Sequence, residues 1–241
     1  MFINMGKYLK LFDTHSDYNT YITGQDKVLP NVSYCDNENE VHYNPYTDPR
    51  LIVEYTVVDD SEPTLLYAYY AEEGDEENWV RGIDLFDKIE IDGVEVSISD
   101  IDSDEGNYQL SEGEHTIKYT LKDPTTIGNG AFYNCTSLTN INIPNSVTTI
   151  GDGAFSSCSG LTNVTIPNSV TTIGERAFQD CTGLTSITSL STTAPTIHGS
   201  TFQSVKTGGT LTVPTGSTGY NVWMGTGNYY LGKYSWTKVE Q

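Results

Sequence analysis

The string Ile143-Pro-Asn-Ser-Val-Thr-Thr-Ile-Gly151 recurs unchanged as Ile166-Pro-Asn-Ser-Val-Thr-Thr-Ile-Gly174, 23 residues further on. The same interval relates Ile127, Ile150 and Ile173, then Phe132, Phe155 and Phe178, then Cys135, Cys158 and Cys181, then Leu138, Leu161 and Leu184. Ile141, Val164 and Ile187 follow in register. Self-similarity at a fixed period of this length marks a solenoid, whose repeats are each too small to bury their own apolar face.

The spacing inside a repeat predicts how a coil is built. In Leu138-Thr-Asn-Ile141-Asn-Ile143-Pro144, Ile141 and Ile143 are two apart and lie on one side of a short strand, with Asn142 on the other. Pro144 and Pro167 have no N–H to continue a ladder and end the strands. Gly151 and Gly174 are expected to turn the chain through positive φ. The Ala-Phe pair and the cysteine take the remaining inward positions, and stacking sets each beside its counterpart at about 5 Å. Outward fall Asn140, Asn142, Asn163, Thr165, Ser186 and Thr188. These six predict a neutral strip that donates and accepts hydrogen bonds, a candidate surface for glycan hydroxyls or a polar protein face rather than for phosphate or lipid.

These strings resemble the BspA-like leucine-rich repeats of bacterial surface antigens, protist surface proteins and gut-phage proteins. The resemblance is carried by residues 125–190. A degenerate coil follows with Ile197 and Phe202 shifted by one residue, and Gly209-Thr-Leu-Thr-Val-Pro-Thr-Gly216 resembles the closing strand of such arrays. It implies a solenoid over residues 124–214 and, for function, adhesion or partner binding without catalysis.

Residues 215–241 are aromatic and are read as a C-terminal cap, because a solenoid end needs a cover. The alternative is a sugar-stacking platform of Tyr220, Trp223, Tyr229 and Trp236. Upstream, residues 49–123 alternate like strands. Leu51 to Val58 and Thr64 to Tyr70 are β-rich runs, Ile89 to Val96 flanks an Asp92-Gly93 turn, and Ile117, Tyr119 and Leu121 share one face. The expected form is a small immunoglobulin-like β-sandwich that also caps the first coil. Residues 1–48 read as an arm with a short helix near His15 to Ile22. Its stretches Lys27–Cys35 and Val41–Pro45 resemble openings of proteins from gut Bacteroidales and their tailed phages. That resemblance implies an arm that attaches to other virion proteins or forms a homo-oligomer. The expected fold is therefore mainly β: sandwich, short BspA-type solenoid, aromatic cap.

Charge narrows the function. The net charge of −20 is confined to one half: residues 1–124 hold 28 acidic and 8 basic residues, residues 125–241 hold 4 and 4. No basic stripe is present, and such a field repels phosphate backbones, so nucleic acid is excluded as a partner. No stretch approaches the roughly 20 apolar residues of a membrane span. After Met1 to Lys7 there is no apolar signal-peptide core, so Sec-dependent export is not expected.

No catalytic pattern stands out. The histidines, His15, His42, His115 and His198, are scattered, and neither His-Glu-x-x-His nor Gly-x-Ser-x-Gly occurs. The repeat cysteines read as buried core filler. Asp100, Asp102 and Asp104 approach a calcium loop, but Gly106 and Glu112 each come one residue late, so an acidic turn is the first reading. No cofactor is expected. The sequence predicts a virion-surface protein that binds a host-surface glycan or protein, with a bacterial cell-surface adhesin as the alternative and a glycan hydrolase as a distant third.

Overall fold

The computed structural model describes residues 50–57, 82–101 and 108–241, with four short strands nearer the N-terminus: β1 (Phe2–Asn4), β2 (Leu9–Leu11), β3 (Ser33–Cys35) and β4 (Val41–Tyr43). The chain forms two units, Met1–Pro49 and Arg50–Gln241. In the first, β1 pairs antiparallel with β2, and β3 with β4, within the stretch expected to be an arm. The helix expected at His15 to Ile22 and the strand at Thr64 to Tyr70 lie outside the described residues.

The second unit begins with β5 (Leu51–Val57), β6 (Phe86–Ile91), β7 (Val94–Val96) and β8 (Gly113–Leu121). Leu51, Val53, Tyr55 and Val57 alternate into the core along β5, and Ile117, Tyr119 and Leu121 do so along β8, as period-two patterning requires. Asp92 at φ 49° and Gly93 at φ 83° close the β6–β7 hairpin in the doubly left-handed turn for which Asp-Gly is suited.

His115 on β8 pins that turn. Its Nδ1 lies 2.7 Å from Asp92 Oδ2 and its Nε2 2.9 Å from the Ser111 carbonyl, while the Thr116 N–H donates to Asp92 Oδ1 at 2.9 Å. An acceptor at each nitrogen favours the doubly protonated ring. The hydrogen bond to Asp92, followed by the Ser111 carbonyl, raises the imidazole above its ordinary value against desolvation. Desolvation pushes Asp92 upward, but the bonds from His115 and Thr116 outweigh it and hold the carboxyl low. The His115 share of hairpin stability is thus complete below about pH 6.5 and is lost as pH rises through the raised value. The Asp92 share is present above about pH 4 and is lost on acidification. Amide protection factors in β6–β7 are expected to peak between those limits and fall toward pH 8. Equal protection at pH 5.5 and pH 8 would show that the pair contributes nothing.

The repeats follow as β9 (Thr126–Ile127), β10 (Leu138–Asn142), β11 (Thr149–Ile150), β12 (Asn163–Ile166), β13 (Thr172–Ile173), β14 (Ser186–Ser189), β15 (Thr196–Ile197) and β16 (Thr210–Val213). The chain ends with a single helical turn, α1 (Tyr220–Trp223), and β17 (Thr237–Glu240). The two-residue strands β9, β11, β13 and β15 stack in parallel as a narrow sheet. The longer strands form a nine-stranded sheet in the order β17-β16-β14-β12-β10-β5-β8-β6-β7, parallel from β17 to β10 and antiparallel beyond. Asn140 pairs with Asn163 and Asn163 with Ser186, the expected interval of 23, whereas Ser186 pairs with Thr210 one residue late. The degenerate fourth coil is thereby placed.

Leu138 and Ile141 are three apart, yet both are buried. A strand of period two cannot achieve that without an extra residue, and the β10–β5 register slips between Leu138 and Asn140. Among the described residues β5 to β8 belong to the same sheet as the repeats. The sandwich expected for residues 49–123 also involves segments outside the described residues.

The reading of Gly151 and Gly174 is corrected. Neither has a positive φ; the left-handed residues of these corners are Gly130, Gly153 and Arg176. A Cβ on Gly151 would lie 2.5 Å from Asn129 Oδ1 and 2.7 Å from the Asn129 nitrogen, and one on Gly174 would strike Asp152 in the same way. The glycines are required by close approach of coil to coil, not by a turn. Gly160 and Gly183 likewise press on the carbonyls of Thr136 and Ser159 one coil earlier. The first coil, which has no coil before it, carries Ser137 at that position.

One apolar core runs the length of the second unit. Phe132, Phe155, Phe178 and Phe202 stack with centroids 5.4, 5.4 and 5.9 Å apart and planes within 15°. Phe86 and Tyr119 meet Phe132 edge-on at 5.8 and 5.2 Å, and Trp223 tilts onto Phe202 at 5.3 Å. Both ends of the array are covered by aromatic rings.

Candidate functional site

The outward positions predicted from the repeats lie together. Asn140, Asn163 and Ser186 form one cross-strand row, and Asn142, Thr165 and Thr188 form the next. All six are at least partly exposed. The rows continue through Thr210 and Thr212 on β16 to Thr237 and Val239 on β17. Sequence reading missed this extension, although the alternating Thr-Leu-Thr-Val of β16 carried the signal. At the usual strand separation the five parallel strands make a strip about 19 Å across and two residues deep.

The strip has one charged border. Asn140 Nδ2 donates to Glu54 Oε2 on β5 at 3.0 Å, and its Oδ1 accepts the Ile141 N–H at 2.9 Å. That amide is committed at both ends. Beyond β5 the outer face becomes ionic: Arg50 Nη1 and Lys118 Nζ lie 2.8 and 3.3 Å from the two oxygens of Glu90. Burial pushes the Glu90 carboxyl up, but the two cations outweigh it and hold it below its ordinary value. The neutral, hydroxyl- and amide-lined part of the face therefore spans β10 to β16 and continues onto β17 through Thr237, beside the exposed, apolar Val239.

The aromatic alternative is corrected by burial. Tyr220, Trp223 and Trp236 are 1%, 1% and 5% exposed, so none presents a ring face to a ligand. Tyr220 donates from its hydroxyl to Ser189 Oγ at 2.6 Å, Trp223 Nε1 donates to the Pro195 carbonyl at 3.0 Å, and Trp236 Nε1 donates to the Lys206 carbonyl at 2.6 Å. These polar tips are satisfied inside the last coil, as buried aromatics require. Tyr229 alone of the four is exposed, at 40%.

Of the calcium candidates, Asp100 ends a single 3-10 turn and is exposed, while Asp102 and Asp104 lie outside the described residues. Among the described residues no three His, Cys, Asp or Glu side chains gather as a metal site. Cys135, Cys158 and Cys181 are buried and unpaired with one another. Their Sγ–H groups are directed inward: Cys158 donates to the Phe132 carbonyl at 3.0 Å and Cys181 to the Phe155 carbonyl at 3.1 Å. Burial pushes all three thiols up, Cys135 to about 12. No helix among the described residues is long and apolar enough to cross a membrane.

Coils that each give one strand to a broad parallel sheet and one to a narrow sheet, around an inward set of Leu, Ile, Phe and Cys, define a leucine-rich-repeat solenoid. Residues 116–224 match the BspA type Leucine rich repeat region in six copies, so the solenoid is similar to that family. Among solved structures, a leucine-rich repeat protein from Bacteroides ovatus is 26% identical over 48% of this chain and 28% of its own, with a TM-score of 0.36. The chain thus spans little more than a quarter of that protein's length. No curated protein matches the chain.

Proposed function

We propose that the protein is a non-enzymatic binding protein that engages a host-surface glycan, or a similarly polar protein surface, through the outer face of β10 to β17 and is displayed on a virion. The observation that carries the binding reading is the strip itself. Five parallel strands hold Asn, Ser and Thr side chains at fixed cross-strand spacing, with Val239 at the far edge, on the part of the face beyond the charges of β5 to β8. Such side chains both donate and accept, which matches hydroxyl-rich ligands. The fixed ladder lowers the entropic cost of binding, because the groups are ordered before the ligand arrives. Display on a virion rests on the resemblance of the N-terminal segment, and mass spectrometry of purified particles tests it directly. Absence of the polypeptide from virions would overturn that half and leave the cell-surface alternative.

The strip is tested by charge. Asn142, Thr165 and Thr188 are direct cross-strand neighbours, so arginine at all three would repel itself along the ladder. Asn142→Arg combined with Thr188→Arg leaves one strand between the charges. This variant is expected to keep the parent melting curve and to lose attachment to host cells or to immobilised surface glycan. Attachment that survived with an unaltered melt would exclude the strip.

A further inference from the structure

The repeat rule fails at one corner, and a cleft stands there. At the earlier corners the middle residue of each Gly-x-Gly or Gly-x-Arg triplet reaches forward by one coil: Asp152 N–H donates to Asn129 Oδ1 at 2.9 Å and Glu175 N–H to Asp152 Oδ1 at 2.6 Å. The next triplet arrives one residue late as His198-Gly199-Ser200. Glu175, a methylene longer than its predecessors, reaches past the missing step and accepts from Ser200 Oγ at 3.3 Å. Local consistency is broken here, where a site is most often found.

The broken corner and the C-terminal segment line an open cleft of about 540 Å³, bordered by Glu175, Arg176, His198, Gln203, Asn228 and Tyr229, within the roughly 300–1,000 Å³ of small-molecule sites. Its walls are tied together. Tyr229 N–H donates to the Gly199 carbonyl at 3.0 Å, and Asn228 Nδ2 lies 2.9 Å from where a Cβ on Gly199 would be. Ser200, 8% exposed, holds His198: Nδ1 is 2.9 Å from the Ser200 hydroxyl and 3.3 Å from its N–H. Nε2 has no hydrogen-bond partner among the described residues. This is not a hydrolytic triad, because the serine, not the histidine, lies between the other two groups, and it is too buried to attack a substrate.

We infer that this cleft binds one uncharged pyranose residue, at a site separate from the sheet strip and independent of it. Within the lining, Glu175 and Arg176 stand 3.6 Å apart and offset one another's charge, and a further cation nearby, Lys233, is held against the Tyr229 ring rather than in the lining. What the lining offers is hydrogen bonding of both senses: carboxylate oxygens accept, guanidinium nitrogens donate, and the amides of Gln203 and Asn228 do both. Ring hydroxyls, each donor and acceptor, complement that set. Tyr229 supplies the flat apolar element. Lys233 Nζ lies 4.2 Å from its centroid, and at 40% exposure the ring keeps accessible surface for the C–H face of a sugar.

Saturation-transfer NMR on the full chain tests this, with methyl β-D-glucopyranoside, methyl β-D-galactopyranoside and methyl N-acetyl-β-D-glucosaminide as probes and methyl β-D-glucuronide as the charged comparator. At least one neutral glycoside is expected to receive saturation in the millimolar range. Tyr229→Ala and, separately, Gln203→Ala are expected to weaken it by about tenfold, whereas the Asn142→Arg/Thr188→Arg variant should leave it unchanged. Should Tyr229→Ala melt early, Gln203→Ala decides alone. No transfer to any neutral glycoside, transfer undiminished by the cleft variants, or a preference for the glucuronide would each overturn the assignment. Loss of transfer in the strip variant would move the sugar site to the sheet and overturn it as well.

Discussion

Residues 125–241 produced without β5 to β8 are expected to be poorly soluble or molten, whereas residues 50–241 should unfold in one cooperative transition. The cause lies in the seam. β5 pairs with β10 across Leu138 to Asn142, so its removal leaves the first repeat strand with an open edge. Phe132 loses the rings of Phe86 and Tyr119 that close the aromatic stack. Leu51, Val53, Tyr55, Phe86, Ile89, Ile117 and Tyr119 are all fully buried against the rest of the core. At the usual value per apolar side chain, the burial lost is on the order of 10 kcal/mol or more, the size of a whole domain's net stability. Near-ultraviolet circular dichroism and dye binding would report the molten state. A sharp, high-temperature melt from the isolated array would show that β5 to β8 are not a cap.

The second large effect falls at the centre of the stack. Phe155→Ala is expected to cost about 3–5 kcal/mol, because the ring lies 5.4 Å from Phe132 and from Phe178, nearly parallel to both. Stacked coils held at strand spacing cannot collapse into the gap. For a unit of this size that is roughly 10 °C in melting temperature. Cys158→Ala removes one sulfur from the same layer and should cost only about 1 kcal/mol. The Phe132 carbonyl that accepts from Cys158 Sγ also accepts the Cys135 N–H at 3.2 Å, so no buried acceptor is orphaned. In the folded chain Cys135, Cys158 and Cys181 should resist thiol reagents at pH 8, since burial disfavours the thiolate. Rapid labelling of all three, or equal losses from the two substitutions, would contradict the inward ladder.

The repeat interior was legible in the sequence because stacking imposes one environment on every coil. A position that faces inward once faces inward each time, and the chain records this as Phe, Cys and Leu at a fixed interval. The outward strip was legible for the same reason, from Asn142, Thr165 and Thr188. The Asp-Gly hairpin was legible because its signal is local: two adjacent residues suited to positive φ between alternating runs. Each of these depends on contacts within one period or one turn.

The remaining features rest on contacts between segments far apart in the sequence. That Gly151 and Gly174 answer to close approach rather than to a turn is decided by Asn129 and Asp152 one coil away, and the residue type is the same for either cause. For Trp223 and Trp236 the sequence puts cover first and platform as the alternative, and it is their indole N–H groups, bonded to carbonyls of the last coil, that decide. The cleft draws Glu175, His198 and Tyr229 from three stretches with no shared motif. The sequence alone thus determined the coil, its inward ladder and its neutral outer face, because these repeat. Only the tertiary structure decided how the array is closed, which aromatics are buried and where Tyr229 meets the broken corner, because those are single events that no period encodes.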